Sequence, residues 1–310
     1  MILDSLLQFS FLFLVLRAAS PILIAAMGAV FTERASVPNI GIEGMMLLSA
    51  FFSVLATIGT GSAWVGLAAG VLSAVLAAVV MGFFAIDLRA DIIVTGFAIN
   101  ILGAGLTVFL LSVLFGQKGT LRETGMATLP SVDLLVIGSV PGLSAALSGH
   151  NVLVYLGWLL VVLTGVVLYR TPVGLRLRAV GEDADAARSV GISVRRYQYL
   201  ALILGGLCAG LAGANLSIGY LSGFVRDMTA GRGLIALAAV LFGGKTPVGT
   251  LLAALLFGLA QGVGNQLQSL RLPSQVVLMI PYLMTVVALV GYRARQCRRQ
   301  AAALRQGTEA

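Results

Sequence analysis

Apolar runs separated by short polar turns fill almost the whole chain. Measured by apolar length and by Gly, Pro and charge breaks, they give about nine spans, roughly 8–30, 41–59, 63–85, 91–115, 151–169, 199–219, 231–243, 248–269 and 274–292. A helix crossing a bilayer needs about 20 predominantly apolar residues. The pattern therefore predicts an all-α polytopic membrane protein. Residues 1–292 form one transmembrane domain with a polar loop at 170–198, and 293–310 form a basic tail. The opening MILDSLLQFSFLFLVLR has no basic n-region and no small-residue cleavage site, so it reads as a first span and not as a signal peptide.

Composition agrees: 59% of residues are hydrophobic, 10% are charged and the mean hydropathy is +1.01. Soluble domains carry roughly 25% charged residues, far more than are available here. The net charge of +8 sits mostly in two places, six basic residues between Arg170 and Arg196 and five between Arg293 and Arg305. Basic clusters beside apolar spans mark cytoplasmic loops, so no nucleic acid is expected as a partner. With both clusters in the cytoplasm, the turns TERASVPN (Thr32–Asn39), IDLRAD (Ile86–Asp91) and GGKTP (Gly243–Pro247) fall inside. Gly116–His150 and Gly219–Ala230 fall outside, the N-terminus is outside and the C-terminus is cytoplasmic.

GIEGMMLLSAFFSVLA (Gly41–Ala56) and GRGLIALAAVLFG (Gly231–Gly243) open alike on glycines and continue as small, apolar helices. They run in opposite senses through the membrane in this topology, the pattern of an inverted-topology repeat. Gly66…Gly70 and Gly206…Gly210 have the spacing of close helix-packing faces.

Catalytic chemistry finds little material. GGKTP fails the phosphate-loop pattern because Ala239 stands at its first glycine position. His150 is the one histidine, Cys208 and Cys297 lie far apart, and no carboxylate pair is placed for acid–base work. No metal site, no bound cofactor and no enzymatic activity are expected. What stands out is polar residues at membrane depth: Asn39, Glu43, Asn100, Gln261 and Asn265, with Asp227 and Arg232 bracketing the start of the 231–243 span. A charge at the bilayer centre costs roughly 2.5–3.5 kcal/mol on insertion scales, so Glu43 should face a cavity or a partner. These five residues are candidates for a solute path, with helix bridging by hydrogen bonds as the competing role. Phe51, Phe97 and Phe109 are available for stacking on a ring.

The longest charged passage, RLRAVGEDADAARSVGISVRRYQ (Arg176–Gln198), reads as a short helix between basic flanks. Glu182, Asp183 and Asp185 occupy its acidic first turn, favoured by the helix dipole. Ala184, Ala187 and Val190 make a slim apolar face, and Gly191 supplies a C-cap. About two turns are not stable alone in water, so the helix needs a surface, and alanines with acids suit a protein cleft better than lipid.

Asp185-Ala186-Ala187-x-x-x-Gly191 resembles the E-A-A-x-x-x-G loop of ABC importer permeases, with Asp where that loop has Glu. GLRLRAVGEDADAARSVGISVRR, NIGIEGMML (Asn39–Leu47) and MTAGRGLIALAAVLFGGKTPVGT (Met228–Thr250) resemble the permeases for branched-chain amino acids, simple sugars and nucleosides, the nucleoside branch in particular. The resemblance implies a cytoplasmic coupling helix, Glu182, Asp183, Asp185, Ala186, Ala187, Arg188 and Gly191, that docks on a separate ABC ATPase subunit, which uses the ATP. It further implies a second permease subunit, identical or different, an extracytoplasmic substrate-binding lipoprotein, and residence in the bacterial inner membrane. Expected cargo is nucleosides or related small solutes; simple sugars, branched-chain amino acids or an ion-coupled secondary transporter are the alternatives.

Overall fold

The computed structural model describes residues 9–116, 119–123, 125–133 and 147–268. Ten α-helices are ordered along these residues: α1 (Phe9–Arg34), α2 (Ile42–Thr60), α3 (Ala63–Gly82), α4 (Ile92–Phe115), α5 (Val152–Arg170), α6 (Pro172–Glu182), α7 (Ala184–Ser189), α8 (Val194–Leu216), α9 (Arg232–Phe242) and α10 (Pro247–Gln268). α3 and α8 each continue into one π-helical turn, Phe83–Asp87 and Ser217–Leu221. Helix starts carry side-chain caps where the chain turns: Asp91 accepts from the Ile93 and Val94 N–H groups, and Asn151 from Val154.

Among the described residues, seven helices are long and apolar enough to cross a membrane. The segment expected as a span at 231–243 is different. α9 has 11 residues, about 16 Å at 1.5 Å per residue, against a hydrocarbon core of about 30 Å. The run is apolar throughout, but Gly231 sits at φ +78° and stops the helix on its N-terminal side. The residues before it turn and pair as a strand instead. The expected span at 274–292 and the basic tail lie outside the described residues.

α1 is the central post. Ile22, Ile24 and Met27 are fully buried, and α5, α8, α9 and α10 all pack on it. α3 is pressed between α2 and α8 through the two glycine pairs singled out in the sequence. A Cβ on Gly66 or Gly70 would lie 1.9 Å from Thr57 Oγ1 or Ser53 Oγ of α2, and one on Gly206 would lie 2.6 Å from Ala78 Cβ of α3. Without a hydrophobic drive between helices in lipid, such backbone-close packing supplies the association energy. α4 stands at the edge and turns Val94, Ile101 and Phe109 outward, as a lipid-facing helix does.

Two short antiparallel ladders close one end of the bundle. β1 (Thr120–Leu121) pairs with β4 (Phe224–Val225), and β2 (Ser131–Val132) pairs with β3 (His150–Asn151). The Leu129 N–H donates to Ile218 O, and Phe13 of α1 stacks on His150 at 4.0 Å. The opposite end gathers the C-terminus of α1, helices α6 and α7, and the turn before α10. There Lys245 pairs with Glu33 at 2.8 Å, and Arg34 donates to the Lys245 carbonyl.

Replacing Gly206 by Val should force the α3–α8 seam apart. Overpacking of this kind costs about 1–3 kcal/mol, and a lower thermal midpoint of the detergent-purified protein would register it, with Ala expected between the two.

Candidate functional site

The breaks in the helices converge. α1 stops at Arg34, and Ser36 at φ +52° and Pro38 carry the chain back across itself. Proline disfavours the α region for the residue before it, here Val37, so α2 cannot begin until Ile42. This leaves backbone groups unpaired, and Asn100 supplies partners for two of them. Its Oδ1 accepts from the Gly44 N–H at 2.8 Å, and its Nδ2 donates to the Ile40 carbonyl at 2.9 Å. Asn100 stands about 12 Å along α4 from Ile92 at the helical rise per residue. The approach is allowed by Gly103, where a Cβ would fall 2.6 Å from Gly44 O. Asn39 is fully buried beside it, with Nδ2 3.3 Å from Met45 Sδ and Oδ1 without a partner among the described residues.

The second break lies between α8 and α9. Ser222, Asp227 and Ala230 all have positive φ before Gly231 does, so the chain doubles sharply into the start of α9. Glu43, in the first turn of α2, closes this break. One carboxylate oxygen accepts the Gly231 N–H at 2.7 Å and the other the Gly233 N–H at 2.6 Å. The first N–H groups of a helix have no intrahelical partner and carry the positive end of its dipole. The two glycine-led segments noticed in the sequence thus meet start to start, and one carboxylate serves both N-termini. Arg232 turns away to hold the Met228 and Thr229 carbonyls at 2.9 and 3.2 Å, and its Nε is buried without a partner among the described residues.

Of the five expected path residues, Asn39, Glu43 and Asn100 come together here. Gln261 lies on α10 with a buried, unpartnered Oε1, and no hydrogen bond joins it to the other three among the described residues. Asn265 lies on α10 as well. Phe51 is fully buried and meets Phe224 edge-on at 5.3 Å, whereas Phe97 and Phe109 are exposed.

A polar chain above the junction escaped the sequence reading. Asn151 donates to Asn215 Oδ1 at 2.8 Å, Asn215 donates to Ser20 Oγ at 3.0 Å, and Ser20 shares a hydrogen bond with Tyr220 at 2.8 Å. The Arg17 guanidinium lies 4.5 Å above the Tyr220 ring. The signal was present: Arg17 is the one charged residue inside the first apolar run.

The charged passage forms two helices where one was expected. α6 ends at Glu182, and Asp183, extended at φ −151°, caps α7 by accepting the Asp185 and Ala186 N–H groups at 2.9 and 3.0 Å. Glu182 and Asp183 therefore precede α7 instead of filling its first turn. Asp is a better cap than a first-turn residue, since its short carboxylate reaches the free N–H groups. Ala187 is buried against Val180 and Val194, but Val190 points outward. Gly191, at φ +80°, ends the turn as expected. Asp185 and Arg188 pair with each other and are exposed. α6 is tied to the first break: Ser36 Oγ donates to Gly181 O at 2.7 Å, and a Cβ on Gly181 would lie 1.9 Å from Arg34 O. Among the described residues, no group of three or more His, Cys, Asp or Glu side chains is placed to hold a metal ion.

Seven apolar spans among the described residues, with a short helix and a junction of helix N-termini between them, make a multi-pass membrane protein. Residues 11–289 match the family described as branched-chain amino acid transport system, permease component; the chain belongs to that family and is an ABC transporter permease subunit. It is 35% identical over 296 residues to the guanosine ABC transporter permease protein NupQ of Bacillus subtilis, covering 89% of this chain and 90% of the relative. It is 34% identical over 284 residues to the nucleoside ABC transporter permease protein NupC of Lactococcus lactis, covering 87% and 88%. It is 36% identical over 260 residues to the putative glucose ABC transporter permease protein TsgC13 of Haloferax volcanii, covering 83% of this chain and 77% of that one. A solved ABC transporter chain in an inward-facing conformation shares the fold at a TM-score of 0.52 and 16% identity, covering 90% of this chain and 84% of that one.

Glu43→Ala should strand both α9 N–H groups in the membrane interior. Hydrogen bonds to a charged group are worth about 1.5–3 kcal/mol each, so a loss of about 3 kcal/mol or more is expected in detergent unfolding. Glu43→Gln keeps one acceptor and should lose roughly half as much.

Proposed function

We propose that this chain is one of two permease subunits of an ABC importer that moves nucleosides inward by alternating access. The observation that carries the cargo is the similarity to the guanosine and nucleoside permeases over nearly the whole chain. Similarity of the same degree to a putative glucose permease keeps simple sugars as the second reading.

In this reading the end of the bundle bearing Arg34, Arg176, Arg195 and Lys245 faces the cytoplasm, as basic residues beside spans require, and the strand-capped end faces outward. Residues 1–292 form one transmembrane domain of about nine spans, with α9 and the strand before it as a broken crossing. α7 is the contact for a separate ATPase that hydrolyses the ATP. It is membrane-proximal, capped at both ends, and presents Asp185, Arg188 and Val190 outward. Because α6 grips the α1–α2 break, a push on α7 reaches Asn39, Glu43 and Asn100, the residues proposed to border the path. Gln261 and Asn265 would line it from α10. An extracytoplasmic binding lipoprotein delivers the solute to the strand-capped end.

Two measurements test this. Uptake of labelled guanosine by a strain carrying the importer genes should fall to background when this gene is deleted, while glucose uptake should not change; the reverse result sinks the nucleoside reading. Removing the cap and the seated alanine together, Asp183→Ala with Ala187→Asp, should abolish co-purification of the ATPase and leave membrane insertion intact. Undiminished co-purification counts against α7 as the contact.

A further inference from the structure

Between the outer strands and the α2–α9 junction lies a cavity of about 350 Å³, bordered by Arg17, Pro21, Tyr220, Val225, Met228 and Arg232. Its polarity is one-sided. Both guanidiniums belong to it, and among the described residues neither is in an ion pair; the nearest carboxylate to Arg232, Glu43, is held by the Gly231 and Gly233 N–H groups. The Arg17 guanidinium makes no hydrogen bond to a described residue, is exposed on the single chain, and lies with its central carbon 4.5 Å from the Tyr220 ring centroid. Arg232 Nε is buried without a partner among them. Unpaired cations at membrane depth are costly and mark functional positions.

The cavity is also built. Tyr220 is fixed by hydrogen bonds to Ser20 and to the Arg17 carbonyl, and Ser20 is held by the Asn215–Asn151 pair. The Tyr220 ring in turn holds the Arg17 guanidinium by a cation–π contact, and the guanidinium stays exposed. Guanidiniums are donor-only, planar forks. Their complement is an edge carrying two acceptors, and the apolar walls suit a flat ring more than a hydroxyl-covered sugar, whose groups both donate and accept.

We propose that this cavity is the outer recognition subsite of the permease and takes the base of an oxopurine nucleoside, whose O6 and N7 present such an acceptor pair to Arg17. The geometry of that pairing is the one Arg uses toward guanine elsewhere. The proposal rests on the nucleoside reading and adds a discrimination among nucleosides by the permease itself. Adenosine, which places an amino donor where guanosine has O6, should gain little from Arg17.

The test is uptake by cells holding the complete importer, with the binding lipoprotein unchanged, so that differences between variants belong to the permease. At equal membrane abundance, Arg17→Gln should lower guanosine uptake about tenfold and adenosine uptake by less than about twofold. Arg17→Lys, which keeps the charge but loses the fork, should show the same selective loss and serves if the glutamine variant does not reach the membrane. Equal losses for both nucleosides would mark Arg17 as a packing or lipid-headgroup anchor and overturn the subsite, as would no loss for either. A loss confined to guanosine 5′-monophosphate would assign the cavity to phosphate and also overturn it. If the unaltered importer takes up no nucleoside, the functional reading falls and the subsite falls with it; selective failure in the variants alone leaves that reading standing.

Discussion

A backbone N–H inside a membrane has no water to turn to, and the fold is organised around meeting that demand where helices break. An uninterrupted helix satisfies its own backbone, but each interruption exposes several groups that cost several kcal/mol apiece if left bare. Here the two interruptions face each other, so Glu43 at one start binds the N–H groups of the other, and Asn100 reaches across from α4 to cover the rest. The cost of a carboxylate in a low-dielectric site is offset by two short hydrogen bonds and by two positive helix ends. Each part of the junction is unfavourable alone and acceptable only with the others in place.

Glycine makes this arrangement reachable. Gly103, Gly44 and Gly233 have no side chains where α4, α2 and α9 touch, so polar backbone meets polar side chain at hydrogen-bonding distance. The same device joins α3 to its neighbours through bare helix faces. α2, α3 and α8 thereby form one block, and the α6–α7 pair is locked to the break beside it through Gly181.

The sequence revealed the helices and the depth of their polar residues more readily than the partners of those residues. Span positions followed from apolar length, and Gly66, Gly70, Gly206 and Gly210 were rightly placed on packing faces. The run at 231–243 is apolar but short of the about 20 residues a crossing needs, and hydropathy does not register that Asp227, Ala230 and Gly231 adopt positive φ. Glu43 was marked as needing a cavity or partner, yet its partners are backbone groups of distant residues, which side-chain chemistry cannot reveal. Asp183 was counted among first-turn acids because a cap and a first-turn residue differ by one position and by an extended φ. Arg17 was passed over within a long apolar run, although a lone cation in such a run is itself a sign of a specific environment.

The reach of the Glu43 contacts along the chain bears on biosynthesis. Its two backbone partners lie 188 and 190 residues later. At about 5–20 residues per second, roughly ten to forty seconds separate the emergence of the carboxylate from that of the groups it will bind. During that interval α2 must enter the membrane with its acidic side chain unmatched, sheltered by water, by the insertion machinery or by a temporary neighbour. The hydrogen bonds between Glu43 and the start of α9 therefore form only after the rest of the described helices up to α8 have been made.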